Sequence, residues 1–183
     1  MKSASKPKVT IYDDSSFPKD LHDEIEVILR TEWPLKPGDE DAKPDWYITH
    51  HIVLSDNEGV LSYAAIARKN IIHESLSYNI VGMSGVITRP DQRGKGYGRR
   101  IITEATKLIK KSDTDLALFN TAQIGLYQKF GYEHLPTAKM LKGHPNNPEE
   151  YPEDVFALFL SEKAKNHRND FESVPIYFGQ RIW

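Results

Sequence analysis

A glycine-rich segment between a predicted strand and a predicted helix is the part of the sequence best suited to chemistry. Its glycines allow the backbone to turn tightly and to bring several N–H groups together. The helix that follows adds its own unpaired N–H groups and the positive end of its dipole. Basic side chains surround these groups, so the segment is predicted to bind a phosphate or pyrophosphate. It reads Arg93-Gly94-Lys95-Gly96-Tyr97-Gly98 and is followed by Arg99 and Arg100.

Three kinds of phosphate loop can be compared with this segment. A P-loop requires G-x-x-x-x-G-K-[ST], but Arg99 follows Gly98 where a lysine is needed. A Rossmann fingerprint requires G-x-G-x-x-G, and the spacing here is G-x-G-x-G. The third kind, [Q/R]-x-x-G-x-[G/A] at the start of a helix, is matched by residues 93–98. The alternative is a glycine-rich turn with basic residues and no ligand.

Two further segments accompany the loop. Gly85-Val86-Ile87-Thr88 lies upstream, and N-T-A-Q-I-G-L-Y-Q-K-F-G-Y lies downstream from Asn120 to Tyr132. Together the three segments resemble the GCN5-related N-acetyltransferase (GNAT) family over residues 45–160. The resemblance implies acetyl-CoA as cosubstrate, no metal, and direct transfer of the acetyl group to a primary amine of a small molecule.

The resemblance also implies which residues bind coenzyme A. The backbone of a splayed strand would bond the pantetheine arm, the glycine loop would bind the pyrophosphate, and an asparagine would bond the pantetheine or its neighbouring backbone. The residues in these three positions are Val86, Ile87 and Thr88; Arg93, Gly94, Lys95, Gly96, Tyr97 and Gly98; and Asn120.

Two groups would act on the thioester. A backbone N–H near Val86 would stabilise the oxyanion of the tetrahedral intermediate. By resemblance, Tyr127 is the general acid that protonates the leaving thiolate, which suits a phenol with a pKa near 10. The alternative for Tyr127 is an aromatic packing residue.

The base that removes a proton from the amine is left open, because no residue is compelling. A metal pair at His50 and His51 is disfavoured, since adjacent residues of a strand face opposite ways. The candidates for the base are Glu74, His73, His51, Glu32 and Asp45.

The whole chain resembles the aminoglycoside 2'-N-acetyltransferase branch of the family in its length, in Asp45-Trp46, in the loop at 145–154 and in its final Trp183. In that branch the terminal carboxylate, here that of Trp183, helps to bind the ammonium groups of the acceptor. Ser84 stands where the branch has a glutamate that acts through water, so it is the third candidate catalytic position beside Tyr127 and Trp183.

Two departures from the branch concern the acceptor. Ser84 replaces a glutamate, and Arg181 replaces an aspartate. Both changes remove negative charge, so we expect the same architecture with a less cationic amine. A cationic acceptor is kept open by the acids Asp39, Glu40, Asp41, Asp45, Glu149, Glu150 and Glu153.

Composition narrows the function classes. The 183 residues contain no cysteine, which excludes a cysteine nucleophile, disulfides and thiolate metal sites. A formal net charge of −2 argues against nucleic-acid binding. No signal peptide or membrane span is visible, so a cytoplasmic protein without membrane contact is expected. We expect one domain over 1–183 with a flexible tail at 1–6, and a homodimer is left open.

The fold class expected is α/β (α+β) with the GNAT fold, a central, mixed, mostly antiparallel twisted sheet of six to seven strands flanked by about four helices. Periodicity predicts helices at 18–32, after Gly98 and at 122–130, the last ended by Gly131. Strands are predicted at Val9–Tyr12, Tyr47–Leu54, Val60–Arg68, Ser77–Thr88, Leu116–Phe119 and Val155–Leu160, with a loop at 136–153 and a strand or packed tail at Pro175–Trp183.

A non-catalytic alternative shares this fold. The missing glutamate at Ser84 is the feature that favours an acyl-CoA sensor, which would bind the thioester without turning it over.

Overall fold

A computed structural model describes residues 6–35 and 44–183, which form ten strands and five α-helices. The strands are β1 (Lys8–Asp13), β2 (Tyr47–Asp56), β3 (Gly59–His73), β4 (Leu76–Thr88), β5 (Leu116–Asn120), β6 (Glu133–Leu135), β7 (Met140–Lys142), β8 (Glu149–Glu150), β9 (Val155–Phe159) and β10 (Ile176–Gly179). The helices are α1 (Lys19–Glu32), α2 (Tyr97–Lys111), α3 (Ile124–Tyr127), α4 (Glu162–Asn166) and α5 (Asp170–Ser173).

Seven strands form one mixed sheet in the order β1-β2-β3-β4-β5-β9-β6. Strands β1 and β2 are antiparallel, as are β5 with β9 and β6 with β9, whereas β4 and β5 run parallel. A second sheet has the order β10-β7-β8. The predicted fold class, a mixed sheet of six to seven strands with several helices, is confirmed.

The two long helices follow their apolar periodicity. In α1, Pro18 holds an extended conformation before the first helical residue, and Ile25 and Ile28 are buried on one face while Val27 on the other is exposed. In α2, Lys110 and Lys111 occupy the last turn, where cations oppose the helix dipole. No described helix is long and apolar enough to cross a membrane.

Two tight turns define the β2-β3-β4 meander. At the first, Asp56 Oδ1 accepts a hydrogen bond from Glu58 N at 2.8 Å and Gly59 has φ +115°, as the predicted hairpin requires. Strand β3 continues beyond the predicted end at Arg68 to His73. The second turn is formed by Glu74 and Ser75, which both have positive φ. Glutamate and serine are not typical of turn positions with positive φ, so the sequence pattern did not predict this turn.

The predicted helix at 122–130 is shorter than expected. Thr121 Oγ1 accepts a hydrogen bond from Gln123 N at 3.0 Å, and this local turn delays the helix to Ile124. After Tyr127 the backbone forms a 3-10 turn over Gln128–Phe130. This helical segment ends at Gly131, which has φ +91°. The glycine cap is therefore confirmed, and the regular helical length is corrected to four residues.

The predicted loop at 136–153 contains two short strands. Leu141 pairs with Glu150 and Lys142 with Glu149, and β7 also pairs with β10. Strands of two or three residues are too short to show an alternation of apolar and polar residues. They form because of their pairing with neighbouring strands, which the local sequence does not reveal. The prediction for Pro175–Trp183 is confirmed as a short strand followed by a packed tail.

Residues group into two compact units, each with its own apolar core. The first contains the described residues of 6–35 with Ile48–Ala67 and Met83–Leu108; its core is Ile25, Ile28, Val53, Val60, Tyr63, Ala65 and Ile87. The second contains the described residues 44–47 with Arg68–Gly82 and Ile109–Trp183; its core includes Tyr78, Ile80, Leu116, Leu118, Phe171 and Phe178. The expected tail at 1–6 lies outside the described residues except for Lys6.

Asp115 joins three elements of the second unit. Its Oδ2 accepts hydrogen bonds from Asn79 N and Lys163 Nζ, both at 2.9 Å, and its Oδ1 accepts one from Ser161 Oγ at 2.7 Å. Ser161 also caps α4 by accepting from Ala164 N. Burial alone would raise the pKa of Asp115, but these donors outweigh it and hold the pKa below its usual range.

We expect Asp115→Asn to lower the free energy of unfolding at pH 7 by about 1–3 kcal/mol, because hydrogen bonds to a charged acceptor are lost. The folded pKa lies below the unfolded value, so this stabilisation is present above pH 3.8 and is lost as the pH falls through the folded pKa. Urea unfolding at pH 7 and near pH 3 measures both. Asp113→Asn, at an exposed ion pair with Arg68, is the control. An equal loss at both pH values would contradict the role of the charge.

Candidate functional site

The glycine loop of the first unit has the backbone conformation of an anion site. Gly94 and Gly96 both have φ +79°, and α2 begins at the next residue, Tyr97. A Cβ atom at Gly94 or Gly96 would have no neighbour within 4 Å, so these two glycines are required by their left-handed backbone and not by close packing. Successive N–H groups in such turns point to one side and form a concave donor surface.

The basic side chains around the loop are already engaged. Arg93 Nη2 lies 2.6 Å from Glu32 Oε2, and Arg93 Nε donates to the Thr88 carbonyl at 3.2 Å. Lys95 Nζ donates to Gln92 Oε1 at 2.7 Å. Glu32 therefore sets the position of Arg93 and also competes with any anion for it.

Strand β4 is distorted just before the loop. Gly85 has φ +60°, and a Cβ there would lie 3.2 Å from Leu29 Cδ2 and 3.5 Å from Tyr63 Cε1. Such a conformation bends the strand and frees backbone groups from the ladder. Ser84 and Val86 flank it and are half-buried.

The next two residues of β4 are partly used by the protein itself. Ile87 is buried in the core of the first unit, and its carbonyl accepts a hydrogen bond from Ser62 Oγ at 2.7 Å. Ser62 Oγ also lies 2.9 Å from Thr88 Oγ1. A carbonyl has a second lone pair, so these contacts are compatible with the predicted backbone bonds to a ligand.

In the second unit, Tyr127 lies in an aromatic cluster. Its ring contacts Phe119, Tyr132 and Phe156 at centroid distances of 4.8, 6.1 and 6.2 Å. Burial raises the pKa of Tyr127 above its usual value, so the phenol carries its proton at neutral pH. The residue has the protonation state of a donor and also packs like a core aromatic.

Asn120, at the end of β5, has one unused polar atom. Its Nδ2 donates to the Glu153 carbonyl at 3.0 Å, whereas its Oδ1 is buried without a hydrogen-bond partner among the described residues. A buried acceptor without a partner is costly unless a donor is supplied. The amide N–H groups of a pantetheine arm are donors of the required kind.

Trp183 lies where β4 and β5 separate. The two strands pair at Ile80 with Leu116 and at Val81 with Ala117. At the next position along β5, Trp183 Nε1 donates to the Leu118 carbonyl at 3.1 Å. A Cβ at Gly82 would overlap the indole, so Trp183 packs directly on the glycine backbone. These contacts concern the indole, and the role of its carboxylate stays a prediction.

An ion pair between the buried Lys69 and the partly exposed Asp45 anchors the segment that precedes Trp183. Lys69 Nζ lies 2.8 Å from Asp45 Oδ2 and also donates to the Phe178 carbonyl. The Phe178 ring in turn packs edge-to-face on Trp183, with centroids 4.6 Å apart. Lys69 was not among the predicted site residues, although a lysine within the apolar run of β3 indicates that its ammonium group has a partner.

The five candidate bases have structural partners or lie in a turn. Glu32 pairs with Arg93 and Asp45 pairs with Lys69. His73 is buried against Phe171, and Glu74 lies in the β3-β4 turn at the end of β4 opposite Gly85. These four residues are paired, buried or in a turn, and none of them is a free base beside the distortion of β4.

His51 differs from the other four. Its Nδ1 lies 2.8 Å from Tyr63 Oη and its Nε2 lies 2.9 Å from Asp14 Oδ1, so both ring nitrogens are bonded. His50 has separate partners, Asp13 and Thr49. Within residues 6–35 and 44–183 no group of three His, Asp or Glu side chains forms a metal-ligand set.

A family model for the acetyltransferase (GNAT) domain matches residues 48–134, which include the distorted β4, the glycine loop and Tyr127. This match supports the predicted enzyme class, an acyl-CoA N-acetyltransferase. The match does not extend to the aminoglycoside 2'-N-acetyltransferase branch, and no curated protein matches the chain.

Solved GNAT-fold structures confirm the fold. Escherichia coli ElaA is 15% identical with a TM-score of 0.56, and the match covers 83% of this chain and 99% of that protein. A Brucella melitensis GNAT acetyltransferase, solved with acetyl-CoA, is 14% identical with a TM-score of 0.53, covering 84% and 89%. A Kribbella flavida GNAT protein is 14% identical with a TM-score of 0.54, covering 71% of this chain but only 34% of that one. This chain therefore spans about a third of the Kribbella protein.

Proposed function

We propose that this GNAT protein transfers an acetyl group from acetyl-CoA directly to a primary amine of a small molecule. The observation that carries the proposal is the pair of left-handed glycines, Gly94 and Gly96, at the N-terminus of α2, in the segment that follows the distorted strand β4. This arrangement offers backbone donors to a pyrophosphate and a bent strand to the arm attached to it. The first unit alone supplies both features.

The cofactor would be held by two kinds of contact. The backbone N–H groups of the glycine loop, with Arg93 and Lys95, bind the pyrophosphate, which displaces part of the Glu32 contact to Arg93. The β4 backbone at Val86, Ile87 and Thr88 bonds the pantetheine. Asn120 Oδ1 accepts from a pantetheine amide, which supplies its missing partner.

The chemistry needs three events at the thioester. The amine nitrogen attacks the carbonyl carbon, the Val86 N–H stabilises the oxyanion, and the C–S bond breaks as Tyr127 gives its proton to the thiolate. Positioning supplies much of the rate, because the thioester is already activated. Coenzyme A brings the only thiol, since the chain has no cysteine.

The acceptor we propose is less cationic than an aminoglycoside. Two of the acids predicted to attract a polycation are neutralised within the second unit, Asp45 by Lys69 and Glu150 by Lys139. Asp39, Glu40 and Asp41 lie outside the described residues. Ser84 and Arg181 remove two further carboxylates relative to the aminoglycoside branch. The cytoplasmic location, the absence of nucleic-acid and membrane partners, and a homodimer stay predictions.

A screen of acceptors tests this charge argument. Initial rates of coenzyme A release with acetyl-CoA are compared across monoamines, amino acid amides, polyamines and aminoglycosides. We expect monoamines and short diamines to exceed aminoglycosides in kcat/KM. Preferred acetylation of aminoglycosides would contradict the less cationic acceptor without contradicting the reaction class.

Gly96→Ala tests the loop. An alanine at φ +79° is strained by about 1–2 kcal/mol, so we expect the affinity for acetyl-CoA, measured by calorimetry, to fall by roughly tenfold. Gly125→Ala is the matched control, because Gly125 has equally open surroundings without a left-handed backbone. Absence of wild-type binding at millimolar acetyl-CoA would overturn the proposed function.

Tyr127→Phe separates an enzyme from a sensor. We expect kcat to fall by about 10²–10⁴-fold with an unchanged affinity for acetyl-CoA, because only the proton donor is removed. Tyr132→Phe, which removes a phenol from the same aromatic cluster, controls for packing. A wild type that binds acetyl-CoA but acetylates no amine would instead favour the acyl-CoA sensor, the alternative suggested by Ser84.

A further inference from the structure

A chain of three hydrogen-bonded side chains runs to the distorted part of β4 within the first unit. Tyr63 Oη lies 2.8 Å from His51 Nδ1, and His51 Nε2 lies 2.9 Å from Asp14 Oδ1. Tyr63 is 5% exposed and His51 is 4% exposed, whereas the Asp14 side chain is 55% exposed. This series of hydrogen-bonded side chains therefore has one end beside Gly85 and the other end exposed to water.

The direction of the hydrogen bonds follows from the ionisation of the three groups. The Asp14 carboxylate can only accept, so His51 Nε2 carries a hydrogen and donates to it. Burial lowers the pKa of His51 despite the opposing effect of Asp14, so the imidazole is neutral at neutral pH. Its Nδ1 is then an acceptor, and the Tyr63 hydroxyl donates to it.

The imidazole is held in this orientation by stacking. The Phe17 ring lies parallel to His51 with centroids 3.7 Å apart and an interplanar angle of 3°. Both ring nitrogens are thus fixed between an aromatic face and two bonded oxygens.

The buried end of this hydrogen-bonded series lies near Gly85, the strand residue next to the proposed oxyanion donor. A Cβ at Gly85 would be 3.5 Å from Tyr63 Cε1, the ring carbon adjacent to the one that bears the hydroxyl. Gly85 immediately precedes Val86 on β4. With its own hydrogen donated to His51, the Tyr63 oxygen keeps lone pairs that can accept a proton.

We propose that Tyr63, His51 and Asp14 form the relay that removes the proton from the acceptor nitrogen, a role that rests on the proposed acetyl transfer. As the nitrogen lone pair forms the C–N bond, the nitrogen becomes positively charged and acidic. Its proton passes to Tyr63 Oη, the Tyr63 proton passes to His51 Nδ1, and the Nε2 proton passes to Asp14, which releases it to water. The thioester C–S bond then breaks with protonation of sulfur by Tyr127, which regains its proton from solvent.

Kinetics of Tyr63→Phe test the relay. We expect kcat to fall by about 10²-fold or more, with the calorimetric affinity for acetyl-CoA unchanged, and the acidic limb of the pH–rate profile to be lost. The charged or titratable groups that face His51 are Asp14, His22 and His50, and Asp14 and Glu26 face Tyr63. His22→Gln should therefore leave the limb in place. Tyr78→Phe, which removes another buried phenol, is the packing control.

The pKa of His51, followed by NMR of the ring C–H signals without any ligand, is a second readout. Tyr63→Phe removes a donor to the neutral imidazole and should raise this pKa, whereas Asp14→Asn removes a neighbouring negative charge and should lower it. If the hydrogen bonds of His51 were only structural, these pKa shifts would occur without any change in the pH–rate profile. That result would overturn the relay.

The outcomes distinguish the relay from the reaction itself. Failure of the wild type to bind acetyl-CoA would overturn both proposals. Wild-type turnover that Tyr63→Phe and Asp14→Asn leave unchanged, with the acidic limb intact, would overturn the relay and leave the acetyltransferase function standing. Loss of the limb in Tyr63→Phe, with binding and folding retained, is the supporting result.

Discussion

Hydrogen bonding between the parallel strands β4 and β5 pairs Ile80 with Leu116 and Val81 with Ala117, and the use of the neighbouring backbone groups depends on where that pairing stops. A strand edge that leaves its neighbour exposes backbone donors and acceptors, which have to be satisfied in some other way. At Leu118 the protein uses the indole of Trp183, whose Nε1 donates to the carbonyl. On β4, Gly85 adds a left-handed turn of the backbone, and the groups beside it are those that a ligand can bond.

Several charged side chains of the candidate site are paired with a side chain of opposite charge. Arg93 is held by Glu32, Asp45 by Lys69 and Glu150 by Lys139, although the first residue of each pair was a candidate for binding the cofactor or attracting the acceptor. A ligand anion at the glycine loop therefore acts against an existing contact. A backbone N–H group cannot form such an ion pair, so the left-handed turns at Gly94 and Gly96 support a pyrophosphate site more strongly than the basic side chains do.

Buried polar groups distinguish the two parts of the candidate chemistry. Tyr127 lies among aromatic rings and keeps its proton because burial raises its pKa. Tyr63 is also buried, but its hydroxyl is bonded to His51, which connects it to an exposed carboxylate. A phenol surrounded by rings suits a donor, and a phenol at the end of a hydrogen-bonded chain suits the passage of a proton.

Much of the local structure was determined by the sequence itself. The periodicity of Ile25 and Ile28, the turn at Asp56 to Gly59, and the glycines at 94, 96 and 131 each impose their conformation through side-chain pattern or backbone freedom alone. Strand and helix patterns of this local kind also made the mixed sheet predictable. The spacing of the glycines in this loop is also enough by itself to exclude a P-loop and a Rossmann fingerprint.

Only the tertiary structure decided how the candidate bases are used. Glu32, Asp45 and His51 look alike in sequence, as single ionisable residues near apolar segments, but their partners lie 61, 24 and 37 residues away along the chain. Such pairings arise from packing of distant elements, which leaves no local pattern. The sequence could therefore place the phosphate loop, whose geometry is local, while the proton path from Tyr63 through His51 to Asp14 appears only when a helix-flanking turn and two strands come together.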